Sequence, residues 1–149
     1  VTNIWTKAEV ADAMIGPDRV RPRHPTQWWR FHFAQDFDGH TVRRMRACIA
    51  KLEIRREPRW MHAATGDAAA AIGIAFKYRP VDRHVPEFDL AMTALTICAV
   101  RGSSAARVVM SRLLRCLPDG AQAEIRIANS WLMLAYARKS FRRDTDLAA

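Results

Sequence analysis

A β-sheet needs at least two strands, and this chain offers two weak candidates. Apolar and polar residues alternate in two stretches: Trp29, Phe31 and Phe33 around Arg30 and His32, and "KLEIR", Lys51 to Arg55. Elsewhere, large apolar residues recur at three- and four-residue spacing, which lines one face of a helix. Even the first stretch fits a helix, because Trp29, Phe33 and Phe37 lie four apart, and helix is the assignment adopted for it. Alanine and arginine dominate, glycine and proline are sparse, and β-branched runs are few, all of which favour helix. The expectation is an all-α fold, a single compact domain over residues 1–149 with six or seven helices. A chain of 149 residues can bury a core without disulfide staples.

Capping signals set the expected boundaries. Thr6-Lys7-Ala8-Glu9 forms a capping box, with Trp5 and Val10 as a hydrophobic staple, and predicts a helix from Lys7 to about Ile15. Gly16-Pro17 ends it, and Pro17, Pro22 and Pro25 keep residues 16–25 irregular. A helix from Asp38 or Thr41 to about Leu52 places Val42, Met45, Cys48, Ile49 and Leu52 on one face, with Arg43, Arg44, Arg46 and Lys51 on the remainder. Pro58 interrupts before a short segment containing Trp60, and Asp67 caps a helix that Pro80 closes. Further helices run from about Glu87 to Val100, from Ser103 or Ser104 to Cys116, and from Ala121 to about Phe141. Asp119 and Gln122 make a variant capping box for the last, while Arg138, Lys139, Arg142 and Arg143 suit the negative end of its dipole.

That last helix is apolar on most sides. Ile125, Ala128, Leu132, Ala135 and Tyr136 form one face, and Ile127, Trp131 and Leu134 occupy another. Such a helix is either central or covered by a partner. Ile127, Trp131 and Leu134 are the expected partner interface, with a homo-oligomer as one form it takes.

Two segments superpose at an offset of 36 residues: "HAATGDAAAAIGIAFKYR" from His62 and "CAVRGSSAARVVMSRLLR" from Cys98. Relative to Gly66 and Gly102, alanine stands three before (Ala63, Ala99) and four after (Ala70, Ala106). A large apolar residue follows at eight (Ile74, Met110), a small one at nine (Ala75, Ser111) and a bulky one at twelve (Tyr78, Leu114). Small residues let antiparallel helices approach closely, and glycine permits the turn between them. Over about Trp60 to Leu114 the pattern resembles Sel1-like repeats, relatives of tetratricopeptide repeats. The resemblance implies stacked helical hairpins, in units of about 60–80 and 88–116, serving as a protein-binding scaffold.

The formal charge is +9, and 20 of the 24 basic residues are Arg, whose planar fork suits phosphate and carboxylate. The excess is local: residues 40–60 carry seven basic and two acidic side chains, and residues 101–118 carry four basic and none acidic. The expected partner is nucleic acid, DNA or RNA, or a nucleoprotein complex. The contact residues would be Arg43, Arg44, Arg46, Lys51, Arg55, Arg107, Arg112 and Arg115. The alternative is a repeat-type adaptor that docks another protein, an acidic one in particular. In "HPTQWWRFHF", His24 to Phe33, rings and cations interleave as in a stacking platform. Burying each ring stabilises by about 1.5–3 kcal/mol, so core packing is the expectation there, with Arg30 and one of Trp28 or His32 left at the surface.

Catalytic signatures are absent. The chain has no HExxH, no GxxxxGK and no G-x-S-x-G, and "GDAAAAIG" lacks the lysine and hydroxyl that grip phosphate. "DFDGH", Asp36 to His40, has too few oxygen ligands for a cation loop and reads as an interhelical turn with a cap. Glu53 and Glu57 lie among Arg55, Arg56 and Arg59, so ion pairing explains them. His62 and Cys98 would form a nucleophile–base pair only if the fold brought them together. The expectation is a non-catalytic protein with no catalytic residue, metal or cofactor. Cys48, Cys98 and Cys116 show no CxxC pairing and no even count, which points to a reduced compartment. With no signal-like segment and no run near the ~20 apolar residues of a membrane span, a soluble, cytoplasmic protein is expected.

Overall fold

A computed structural model describes residues 24–80, 85–118 and 122–147, with side chains of the last helix described over residues 124–137. The predicted helix Lys7–Ile15, the Asp119 cap and most of the irregular segment 16–25 lie outside the described residues. Two short 3₁₀ segments, Pro25–Arg30 and Ala34–Asp36, precede six α-helices: α1 (Gly39–Ile49), α2 (Trp60–Ala64), α3 (Ala68–Lys77), α4 (Pro86–Val100), α5 (Ser104–Arg115) and α6 (Gln122–Leu147). The described residues contain no strand, and the chain is all-α.

Caps decide most of these boundaries. The Asp38 carboxylate accepts the Thr41 amide at 2.8 Å, Asp67 accepts the Ala70 amide at 3.2 Å, and the Ser103 hydroxyl accepts the Ala106 amide at 3.2 Å. Each thereby satisfies a donor with no partner in its own helix. α1 ends at Ile49 rather than near Leu52, because the Lys51 and Leu52 amides tighten onto Cys48 and Ile49 carbonyls in 3₁₀ fashion. The expected helix over the aromatic stretch is a 3₁₀ turn. Pro25 opens it, the Phe31 and His32 amides both converge on the Trp28 carbonyl, and Phe33 is extended. The Asp36 carboxylate takes the Phe33 amide at 2.9 Å, and this side-chain acceptor competes with helix continuation.

α4 is the axis of the core. Every residue from Phe88 to Ala99 is buried, and α1, α2, α3, α5 and the first 3₁₀ segment all pack on it. Its two threonines are satisfied within that packing: the Thr93 and Thr96 hydroxyls donate to the Asp89 and Met92 carbonyls at 2.8 and 2.7 Å. The Asp89 carboxylate, 1% exposed, lies 3.4 Å from the Arg30 guanidinium. Trp29 meets Phe88 edge to face at 5.6 Å between ring centres.

α6 packs along α5 and the second 3₁₀ segment. The Phe37 ring lies 5.7 Å from that of Trp131, and the Ala34 amide donates to the Ser130 hydroxyl at 2.9 Å. Ile127 and Trp131 are therefore core, at 4% and 0% exposure, and Leu134 packs half-buried against it. This corrects the expected partner interface: the second apolar face of α6 is covered by the chain's own elements.

Most residues matched at the 36-residue offset share their burial, although Tyr78 is half-buried where Leu114 is buried. Ala63 and Ala99, Ala70 and Ala106, Ile74 and Met110, and Ala75 and Ser111 are buried in both units. α2 packs on α3, α4 on α5, α2 on α4 and α3 on α5, so the hairpins stack with like helices adjacent.

Candidate nucleic-acid interface

α1 is amphipathic: Val42, Met45, Cys48 and Ile49 turn inward, which leaves Arg43, Arg44 and Arg46 exposed. Lys51 and Arg55 are also exposed but lie past the end of α1 in the connection to α2. Among the described residues, none of these five cations forms an ion pair. The two carboxylates just before α1 are committed to backbone. Asp36 holds the Phe33 amide and Asp38 caps α1. The Thr41 amide also keeps the Asp38 carboxyl below its usual range. "DFDGH" is thus a capped turn.

The basic residues of α5 divide. Arg112 and Arg115 are exposed, and the Arg115 guanidinium donates to the Asn129 amide oxygen of α6. Arg107 is 1% exposed and donates its Nε–H to the Ala99 carbonyl at 2.8 Å. It is a core residue, which removes it from the expected contact set. The sequence held a signal for this: Arg107 stands 36 residues after buried Ala71, on the inward face of the repeat.

The aromatic stretch divides as well. Trp29 is fully buried, whereas Phe31 and Phe33 are 45% and 38% exposed, and Trp28 and His32 are half-buried. Core packing holds for one ring of the stretch, not for all. The Arg44 guanidinium lies 5.2 Å from the Trp28 ring centre, within the range of a cation–π contact. Trp28 meets His32 at 6.1 Å, and His32 meets Phe37 at 5.7 Å, both edge-on. Rings and cations therefore share one surface where the first 3₁₀ segment crosses α1. Sequence reasoning missed this link, since a 3₁₀ turn leaves Phe31 and Phe33 outward where a helix would bury Phe33.

The histidine–thiol contact falls at a different pair from the one the sequence suggested. Cys98 is buried, which pushes its thiol up from the usual value, and His62 is exposed. Instead Cys48 Sγ lies 3.7 Å from His24 Nε2, while His24 Nδ1 caps the first 3₁₀ segment by accepting the Thr26 amide at 3.4 Å. The contact seats that segment on α1.

Among the described residues, no cluster of His, Cys, Asp and Glu is arranged to hold a metal ion, and no helix is long and apolar enough to cross a membrane. Comparison with protein-family models, curated proteins and solved structures finds no match for the chain.

Proposed function

We propose that this is a non-catalytic helical protein that contacts nucleic acid, or a nucleoprotein complex, through the basic face of α1. The observation that carries the reading is the exposure of Arg43, Arg44 and Arg46 with no ion-pair partner among the described residues. A guanidinium already paired with a carboxylate must give up that partner to bind phosphate; these three do not. Lys51 and Arg55 extend the positive surface beyond the helix, and Arg112 and Arg115 offer secondary contacts on α5. The test is affinity for labelled DNA and RNA across a salt series. Each neutralised phosphate adds about one unit to the slope of log affinity against log salt. Replacing Arg43, Arg44 and Arg46 together with Gln reduces that slope by about two to three units, with helicity preserved.

A second reading, a Sel1-like repeat adaptor that docks an acidic protein or a second copy of the chain, is favoured by the stacked, duplicated hairpins. A parent protein that binds neither DNA nor RNA at low salt removes the first reading and leaves this one.

A further inference from the structure

We infer that Arg59 is a further phosphate-contact residue for the nucleic acid, and that Gly73 of α3 is its positioning residue, bare so that the Arg59 guanidinium can lie against the helix. The inference rests on the nucleic-acid reading above and adds to it a pair of residues that no local sequence pattern joins. Glycine inside a helix is destabilising relative to alanine. α3 is otherwise rich in strong helix formers, with four consecutive alanines from Ala68 to Ala71, so a glycine in its interior calls for a compensating reason.

That reason lies beside its Cα. A Cβ on Gly73 would fall 2.9 Å from Arg59 Nη1, and 3.6 and 3.8 Å from Cζ and Nη2. The end of the guanidinium thus occupies the space that a side chain would fill. The repeat itself does not demand glycine here: at the 36-residue offset Arg59 and Gly73 correspond to Leu95 and Val109, an apolar pair with a branched side chain at the glycine's position. The glycine goes with the arginine. The base of the Arg59 side chain is fixed as well. The Trp60 indole donates to the Leu52 carbonyl at 2.9 Å, the Trp60 amide donates to the Glu57 carbonyl at 3.2 Å, and the Lys77 ammonium ties Glu57 to α3 at 2.7 Å.

This placement supplies no counter-charge. Arg59 is exposed, and among the described residues its guanidinium makes no hydrogen bond and no ion pair. Glu57, two residues before it, is closed on Lys77: that hydrogen bond is the chief reason its carboxyl lies below the ordinary value, and the charge of Arg59 contributes least. The arginines that tether elements of this chain end on an acceptor, Arg107 on the Ala99 carbonyl and Arg30 on the Asp89 carboxylate. Arg59 ends on none. Its planar fork is held in place with its donors unspent, in the same α1–α2 connection as Lys51 and Arg55, and a phosphate contact gains from such preorganisation. Carboxylates of an acidic protein fit the same fork, and that partner is one outcome of the test.

The test measures affinity for labelled DNA and RNA across a salt series, together with melting temperature, for Arg59→Gln, Gly73→Ala and the double variant. Arg59→Gln should weaken binding about threefold or more at low salt and reduce the slope of log affinity against log salt by about one unit. Gly73→Ala keeps every charge but displaces the guanidinium, and the displacement is cheap because the atom in the way is the far end of a flexible side chain. It should raise the melting temperature by roughly 2–4 °C, as expected for alanine in place of a helix-interior glycine, while weakening binding about as much as Arg59→Gln does. The double variant should bind no worse than Arg59→Gln alone, since the glycine acts only through the arginine. Parent-like affinity in either single variant, or losses that add in the double one, overturns the inference. So does a lower melting temperature for Gly73→Ala, because the guanidinium would then be a fixed tether between α2 and α3. The nucleic-acid reading stands or falls separately, on whether Arg43, Arg44 and Arg46 replaced together by Gln lose affinity. A parent that binds neither DNA nor RNA overturns both, and binding of polyglutamate in their stead, weakened by Arg59→Gln, would assign the arginine to an acidic protein.

Discussion

Gly66 and Gly102, 36 residues apart, hold the same backbone conformation, with φ of +114° and +117°. The turns around them match bond for bond. The Gly66 and Gly102 amides donate to the Ala63 and Ala99 carbonyls, and the Asp67 and Ser103 amides reach back to the His62 and Cys98 carbonyls at 2.9 and 3.1 Å. Each glycine ends one helix in a conformation that L-residues rarely adopt, and the next residue caps the following helix. Two distant segments thus reach the same turn by the same chemistry.

Alanine at either glycine should therefore destabilise the fold through backbone strain, by about 1–3 kcal/mol. At Gly66 space is not the reason, since a Cβ there would meet the Arg101 guanidinium at 3.5 Å, an ordinary contact. Urea unfolding of Gly66→Ala and Gly102→Ala should give losses of similar size. Parent-like midpoints in both would show that the turn does not depend on glycine.

Two residues of α6 separate core from surface. Trp131 is fully buried against Phe37, while Met133 is 71% exposed. Trp131→Glu places a charge where water cannot reach it, and loss of the cooperative thermal transition is expected. Met133→Glu should shift stability by no more than about 0.5 kcal/mol. A folded, soluble Trp131→Glu monomer would instead restore Trp131 to an interface between chains.

Where a polar side chain marks a helix start, the sequence shows it plainly. Asp38, Asp67 and Ser103 each stand before an apolar stripe, and each caps its helix. The bounds of α4 are legible too, at about Glu87 to Val100, but its burial on all sides, with Asp89, Thr93 and Thr96 inside, emerges only from the packing around it. Periodicity loses its grip where the backbone departs from 3.6 residues per turn. Trp29, Phe33 and Phe37 make a helical stripe on paper, but the 3₁₀ turn and the Asp36 acceptor turn Phe33 outward. Charge misleads at Arg107, because residue type suggests the surface while the repeat places that position inside. The basic face of α1 was readable from spacing alone. Its contact with Trp28 depends on a crossing between Arg44 and a residue 16 positions away, which no local pattern encodes.

The connection from α1 to α3 is pinned by a pH-sensitive contact. The Lys77 ammonium donates to the Glu57 carboxylate at 2.7 Å, which holds the Glu57 carboxyl below its ordinary 4.5 and raises Lys77 above its ordinary 10.5. A carboxyl depressed in the folded state contributes stability above its unfolded pKa, and the contribution fades as pH falls through the folded value. The raised lysine gives the opposite limb: its contribution is complete below the unfolded value and is lost as pH climbs through the folded one. The melting temperature of Glu57→Gln should thus lie below that of the parent at neutral pH, and the gap should close in acid below 4.5. The gap should be small, because the Lys77 side chain is 56% exposed and its charge is screened by water. A gap that persists unchanged at strongly acid pH would assign it to packing rather than to charge.

Arg107 and Arg112 lie on the same helix and should respond to substitution in opposite ways. Arg107→Ala removes a buried stem and the donor to the Ala99 carbonyl, leaving a cavity beside α4, and a loss of about 2–4 kcal/mol is expected. Arg107→Met fills much of that volume and also removes a charge from the interior, where desolvation offsets most of what its hydrogen bonds contribute. Its cost should therefore be less than half that of the alanine variant. Arg112 is exposed, so Arg112→Ala should leave the unfolding midpoint within about 0.5 kcal/mol of the parent. Nucleic-acid affinity sorts them the other way, with no change for Arg107→Met and a modest loss at low salt for Arg112→Ala. Equal stability losses for Arg107→Met and Arg107→Ala would mean that the guanidinium itself, and not the volume of its stem, holds α5 against α4.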